Sequence, residues 1–330
     1  MPFPITEQLL TDVLRQYALA GPRVVAPLEA SKRNDNFLVD DAADARYVLR
    51  RYRRNPDERR IRFQLDFQRR LHALGYPTSE VVPSSAGDLL VASAAGPWVL
   101  FSHVEGSEYD YDRLGQVAEA GRRLAQFHSV TSSIELEEVV IDINPQVRLW
   151  WTQGEEELSA LAALFRDDEV AEELAFLRAW HAELLRQWPL DRLDALPTGW
   201  VHSDFHGRNM VFVGDELRGL FDFDPLHRGF WVEDVAHALF MFAREFRGST
   251  RIRPEVARLF LDAYDGVRPQ AEEERAALPM MAVLDWVHSA PYHALLARDG
   301  EDTLAFFRHW VQLMRDLEAE MARLAPLLSR

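Results

Sequence analysis

The chain contains no cysteine and, at Lys32, a single lysine among its 330 residues. Without thiols it has no disulfide, no thiolate metal centre and no cysteine nucleophile. A surplus of positive charge is missing too. The formal net charge is −16, which sets nucleic acid aside as a partner, because a phosphate backbone demands a basic surface. No stretch approaches the roughly 18 consecutive apolar residues of a membrane span. Residues 1–8, M-P-F-P-I-T-E-Q, lack the basic start and apolar core of a secretion signal, so a cytoplasmic location and no membrane partner are expected. Internal repeats and low-complexity tracts are also lacking. What remains, 48% hydrophobic and 27% charged, is an ordinary globular composition on a chain long enough for two cores. Nothing in it specifies an oligomeric state.

Residues 6–19 carry Leu9, Leu10, Val13, Leu14 and Tyr17 at helical spacing, an amphipathic opening helix closed by Gly21-Pro22. Three short apolar or β-branched runs follow at 24–28, 36–39 and 46–52, the pattern of an antiparallel meander. A helix over 59–74 turns Ile61, Leu65, Leu71 and Leu74 inward and stops at Gly75-Tyr76-Pro77, and further strands are expected at 81–82, 89–92 and 98–104. After Glu105-Gly106 the pattern changes to helices at 111–129, 144–151, 155–165, 168–186, 232–246, 254–264, 272–289 and 303–328. Two domains are therefore expected, residues 1–105 and residues 106–330.

The segment with most chemistry is V-H-S-D-F-H-G-R-N-M-V-F-V-G-D-E-L-R-G-L-F-D-F-D-P, residues 201–225. It sets His202, Asp204 and Asn209 on one loop. Short β-rich runs at 211–213 and 217–221, separated by Gly214-Asp215-Glu216, form a hairpin that carries Asp222 back towards Asn209. An amide oxygen and a carboxylate converging in this way offer the sparse, hard, oxygen-only coordination that Mg²⁺ accepts while it bridges phosphates. Asp204 stays free to receive a hydroxyl proton. Two other readings of these residues stand beside this one. His202, Asp204, His206, Asp222, Asp224 and His227 could bind Zn²⁺ or two metals as a metallohydrolase, or the carboxylates could be loop caps around a structural histidine.

H-x-D-x-x-x-x-N followed by D-F-D resembles the aminoglycoside phosphotransferase, choline kinase and type II homoserine kinase superfamily. The resemblance implies an α+β, two-lobed protein-kinase-like fold with a small antiparallel-sheet N-lobe, which holds nucleotide, and a large, mainly helical C-lobe. It implies transfer of the γ-phosphate of ATP, with Mg²⁺, to a hydroxyl of a small-molecule acceptor such as an amino sugar, an amino alcohol or homoserine. Asp204 takes the catalytic role, Asn209 and Asp222 hold metal, and His202 and Asp234 (in W-V-E-D-V-A-H) support the loop. Ser203, Gly207 and Arg208 depart from the usual H-G-D-x-H-P-G-N. A bacterial protein serine/threonine kinase of the same fold and a nucleotide-binding pseudokinase are the rival readings.

On the nucleotide side, E-A-S-K-R-N-D-N-F-L-V resembles the end of the family's phosphate-covering loop but contains no glycine, so Lys32 and Asn34 become side-chain candidates for phosphate. The third strand ends Y-V-L-R-R-Y. By its match to the family's strand lysine, Arg50 takes the phosphate role; Arg51 points to the opposite face. The usual helix acid falls on Gln64, with Asp66 nearby. P-W-V-L-F-S-H-V-E-G resembles the hinge that holds the base, and places the Ser102 carbonyl and the Val104 amide on adenine or guanine alike. Most of the arginines between 46 and 70 read as solvated helix faces, and His128 as a core histidine. Trp150, Trp151, Trp286, His288, Tyr292 and His293 are aromatic candidates for an acceptor pocket, with core packing as the plainer reading. The acidic runs at 155–157, 167–169, 172–173 and 272–274 favour an amine-bearing acceptor.

Overall fold

A computed structural model describes residues 5–28, 34–53, 57–139, 147–165 and 169–328. In chain order the elements are α1 (Glu7–Leu14), β1 (Arg23–Pro27), β2 (Asn34–Asp40), β3 (Arg46–Tyr52), α2 (Glu58–Ala73), β4 (Val81–Val82), β5 (Val91–Ser93), β6 (Gly96–Ser102), α3 (Leu114–Thr131), α4 (Leu149–Thr152), α5 (Gly154–Leu164), α6 (Ala171–Gln187), α7 (Leu190–Asp194), β7 (Thr198–Val201), a 3₁₀ turn (Gly207–Asn209), β8 (Met210–Val213), β9 (Glu216–Leu220), β10 (His227–Phe230), α8 (Trp231–Ala243), α9 (Pro254–Asp265), α10 (Glu272–Leu284), α11 (Ala290–Arg298) and α12 (Thr303–Leu328). The organisation is α+β, as expected. Two compact units emerge: Met1–Tyr109 with Ser133–Val139 and Arg208–Asp224, and Asp110–Ser132 with Val140–Gly207 and Pro225–Arg330.

The first unit is built on an antiparallel sheet in the order β1-β2-β3-β6-β4, with β5 paired to β6. Strand alternation gives the sheet two apolar faces. On one, Leu49, Trp98 and Leu100 meet Leu10, Val13, Leu14 and Tyr17 from the N-terminal helix. On the other, Tyr52 and Val99 meet Ile61 and Leu65 of α2. Helix α1 is shorter than the apolar spacing suggests. Gln16 and Tyr17 donate to Val13 and Leu14, three residues back, and this tightened turn brings Tyr17 down onto the sheet. Asp57 caps α2 by accepting from Arg59 N, and Gly75, at φ +80°, ends it.

Strands β8 and β9 form a two-residue hairpin, Val213 opposite Glu216, whose first turn residue, Gly214, adopts φ +63°. Both strands are tied back to the first unit. Ser107 and Phe212 exchange backbone hydrogen bonds of 2.9 and 2.8 Å, and Leu220 N donates to Pro77 O at 2.9 Å. Gly106 permits this approach, because a Cβ there would lie 2.8 Å from the Phe212 carbonyl oxygen.

The second unit is mainly helical. Helix α3 packs along α9, and α8 and α12 along α10. Strands β7 and β10 add a small antiparallel pair with Gly199 opposite Gly229. The helix expected over 272–289 ends earlier, and a second helix that the sequence reading did not include follows it. Helix α10 stops at Leu284, and Ser289 caps α11 by accepting from Tyr292 N at 3.4 Å, with Pro291 in the first turn. Among the described residues, no helix is long and apolar enough to cross a membrane.

Candidate active site

In the first unit, β3 sends its two arginines to opposite faces. The Arg50 Nε donates to Asn36 Oδ1 at 3.0 Å, and the guanidinium lies over the rings of Tyr52 and Phe101 on the α2 face. Burial works against its charge, but Tyr52, Asp222 and Asp224 outweigh that and raise its pKa. Arg51 takes the α1 face, 2.6 Å from Asp35 and over the Trp98 ring. Asp66 is spent on Arg69 and Arg70 at the surface. Gln64 does something else. Its Nε2 donates to the Asp224 carbonyl at 3.0 Å, where Arg60, one turn earlier, donates at 2.9 Å, while Phe67, one residue short of the next turn, packs on Phe223. Helix α2 thus grips the chain just after Asp222. On the other side Phe221 N donates to Asn209 O at 2.9 Å.

Asp222, clamped between these contacts, adopts φ +64°, a left-handed conformation that aspartate tolerates better than most residues. Its Oδ1 is buried with no hydrogen-bond partner. A carboxylate oxygen is not left so without cost, and a hard cation would satisfy it. Asn209 ends the 3₁₀ turn just before β8. An amide and a carboxylate fit Mg²⁺, which takes few protein ligands. They do not fit zinc. Among the described residues no group of three or more His, Asp or Glu could hold a metal ion.

Ser102 ends β6, where its N–H donates to Glu80 O and its Oγ accepts from Glu80 N. Just past the strand, at Val104, the chain is half-buried. Asn34 is buried at the head of β2, opposite Tyr52. Lys32 lies outside the described residues.

In the second unit, Asp234 on the first turn of α8 is fully buried. Its carboxylate accepts from the backbone N–H of His202 at 2.6 Å and of Ser203 at 2.7 Å, and lies 3.2 Å from His128 Nε2. Burial alone would raise its pKa, but these donors hold it below the usual carboxylate range. Burial pushes His128 down, so the neutral ring donates through Nε2 and accepts at Nδ1 from the Tyr264 hydroxyl, 2.8 Å away. The effect is to fix the start of the loop, where Ser203 sits at φ +62°. His202 is buried, edge-on to Phe127 and Phe205.

Asp204 follows, with Oδ1 3.0 Å from His206 Nε2. Burial works to raise its pKa, but His206, His237 and His202 prevail and hold it well below the carboxylate range. It is ionised at neutral pH. His227 is engaged elsewhere, with Ser203 Oγ at 3.1 Å and Glu233 at 3.4 Å.

The sequence reading did not anticipate the grip of Arg60 and Gln64 on Asp224, although their four-residue spacing puts them on one helix face. Nor did it see the pair His237 and Asp285, 2.8 Å apart. Single-residue signals of that kind carry no pattern.

Known proteins resemble the chain. Homoserine kinase of Agrobacterium fabrum is 27% identical over 315 residues, covering 92% of each chain. The solved structure of a microcompartment-associated aminopropanol kinase superposes with a TM-score of 0.67 at 17% identity, over 98% of both chains. An amicoumacin kinase in complex with AMP-PNP and Ca²⁺ does so with a TM-score of 0.66 at 20% identity, over 94% of both. These likenesses give the fold, the protein-kinase-like one, and kinase relatives imply the use of ATP. The model of the phosphotransferase enzyme family matches residues 24–278, well over half of the sequence, and the chain belongs to that family.

Proposed function

We propose that this phosphotransferase uses ATP and Mg²⁺ to phosphorylate a hydroxyl group of a small amine-bearing molecule. The observation that carries the reading is the composition of one continuous segment. It presents an ionised Asp204 and, beyond Asn209, an Asp222 whose buried carboxylate oxygen lacks a partner. The acceptor's oxygen attacks the γ-phosphorus, the bond to the bridging oxygen of ADP breaks in line, and the hydroxyl proton passes to Asp204. A carboxylate held so low is a weak base, so the proton moves late. Asn209 and Asp222 would hold Mg²⁺, which would offset the negative charge of the phosphates.

Arg50 would grip phosphate oxygens through its fork of donors, and Asn34, at the head of β2, and Lys32 would add further donors. The Ser102 carbonyl and Val104 N–H would read the base. Guanine would meet the same two groups with N1–H on the carbonyl and O6 on the amide, so GTP is the alternative donor. His202 and Asp234 would hold the loop that carries Asp204. Homoserine and aminopropanol, the substrates in the relatives' names, each join a hydroxyl to an amine. The net charge of −16 suits a cationic acceptor.

The test is transfer from γ-labelled ATP with Mg²⁺ to amino alcohols, homoserine, amino sugars and a casein-like protein. Label on a small hydroxyl compound is expected. Label on protein alone, or none on any acceptor, would overturn the reading.

A further inference from the structure

The surroundings of Asp204 in the second unit extend beyond His206. The His206 ring lies 6.2 Å from that of His237 on α8, whose Nδ1 is 2.8 Å from Asp285 Oδ2. His237 is 8% exposed and its Nε2 is buried without a partner. Asp285, the residue after α10, keeps 26% of its side chain exposed. The pair therefore offers one unsatisfied donor and one carboxylate edge near the catalytic loop.

The next residue opens an aromatic cluster. Trp286 lies 5.0 Å from Trp310 and edge-on to Phe240 at 5.4 Å, and His288 stacks on Phe306. Trp286 Nε1, Trp310 Nε1, His288 Nε2 and His293 Nδ1 are all buried with no partner. A core filled for packing alone would use phenylalanine or leucine here, since a buried polar atom without a partner is costly. Burial holds His288 and His293 low, at about 3 and about 4, so both rings are neutral at physiological pH. The cluster is rich in π faces, carries orphaned nitrogens and adds no positive charge.

Resting on the reading of Asp204 as the catalytic group, we propose that Asp285, oriented by His237, binds the acceptor's ammonium, that the cluster from Trp286 to Trp310 receives the acceptor's body, and that an acceptor with no carboxylate beside its amine is preferred. A carboxylate and electron-rich ring faces attract a cation. The one cation of the pair, His237, is already matched by Asp285. An amino acid would bring its own carboxylate towards the Asp285 carboxylate and the electron-rich ring faces, which repel it. The chain would thus diverge in acceptor from the homoserine kinases it is similar to.

A matched series tests this: 3-aminopropan-1-ol, homoserine, which adds a carboxylate, and propane-1,3-diol, which replaces the amine. In the wild type, kcat/KM for the amino alcohol should exceed that for homoserine and for the diol by at least about tenfold. Asp285→Asn should collapse the ratio of amino alcohol to diol at least tenfold, and Asp285→Glu should restore part of it. Titration of the amino alcohol should change tryptophan fluorescence, and Trp286→Phe should diminish that change. A preference for homoserine, an amine-to-diol ratio unmoved in Asp285→Asn, or no transfer to the amino alcohol overturns the proposal. Failure of the kinase reading itself would show differently, as absent nucleotide binding and absent transfer to every acceptor in the wild type.

Discussion

Asp234 gives the sharpest quantitative expectation. Its fully buried carboxylate satisfies two backbone donors, His202 N and Ser203 N, and faces His128 Nε2. Asp234→Ala strands all three. A buried donor left without its partner costs about 1–3 kcal/mol, and part of that is recovered by water entering the space, so a loss of roughly 4–6 kcal/mol is expected. At about 2–4 °C per kcal/mol for a unit of this size, the melting temperature falls by roughly 8–24 °C. The second effect is on the loop. Ser203 at φ +62° is held there by the same carboxylate, and once released it moves Asp204. Misplacement by about 1 Å is enough to cost roughly 10²-fold in kcat, while nucleotide affinity, which the proposed function assigns to groups in the other unit, should change little. Asp234→Asn should behave nearly as badly, since its amide N–H₂ must face a backbone N–H. Differential scanning fluorimetry and steady-state turnover measure both effects. A melting point within about 2 °C of wild type, with kcat within threefold, would refute the reasoning.

Arg50→Ala should weaken ATP binding by at least about tenfold in calorimetry with little loss of stability, whereas Arg51→Ala, which breaks the buried contact with Asp35 at 2.6 Å, should lower the melting temperature and leave affinity nearly unchanged; the opposite assignment would move the phosphate contact to Arg51. His237 should make stability depend on pH. Burial opposes its charge, but Asp285 and Asp204 raise it from 6.5 to about 9, so the protonated pair contributes fully below pH 6.5 and its contribution fades as pH rises through 9. The difference is worth roughly 3 kcal/mol. Chemical denaturation should therefore show wild type losing stability relative to His237→Gln between pH 6.5 and 9; parallel curves would deny the charge.

Much of the fold could be read in the sequence where a period repeats. The bounds expected for β3 and α12, 46–52 and 303–328, match the structure, because a strand-forming run without glycine or proline fills the first and apolar residues at helical spacing fill the second. The hairpin after Asn209 was legible from Gly214-Asp215 between two β-rich runs. Strands β7 and β10 were not, since T-G-W-V and H-R-G-F each centre on glycine and only their pairing, Gly199 opposite Gly229, explains both. The start of α11 was signalled by Ser289-Ala290-Pro291, yet neither that helix nor the stop of α10 at Leu284 was read, because the apolar residues run on past Leu284 through Trp286 and Val287. In the candidate site, charged residues in a fixed motif stood out, whereas Gln64 carries no charge and announces nothing until its amide is seen on the Asp224 carbonyl. The arginine-rich stretch resolves one residue at a time: Arg46, Arg69 and Arg70 pair at the surface with Asp40 and Asp66, while Arg50 and Arg60 turn inward.

The central claim is that Asp204 receives the acceptor's proton in a phosphoryl transfer from nucleotide. Asp204→Asn keeps the size of the side chain and removes the base, so the direct measurement is single-turnover transfer of labelled phosphate to the best acceptor, alongside calorimetric binding of ATP with Mg²⁺. The account predicts a loss of roughly 10²–10⁴-fold in the transfer rate with nucleotide affinity retained. Transfer by Asp204→Asn within about tenfold of wild type would contradict it.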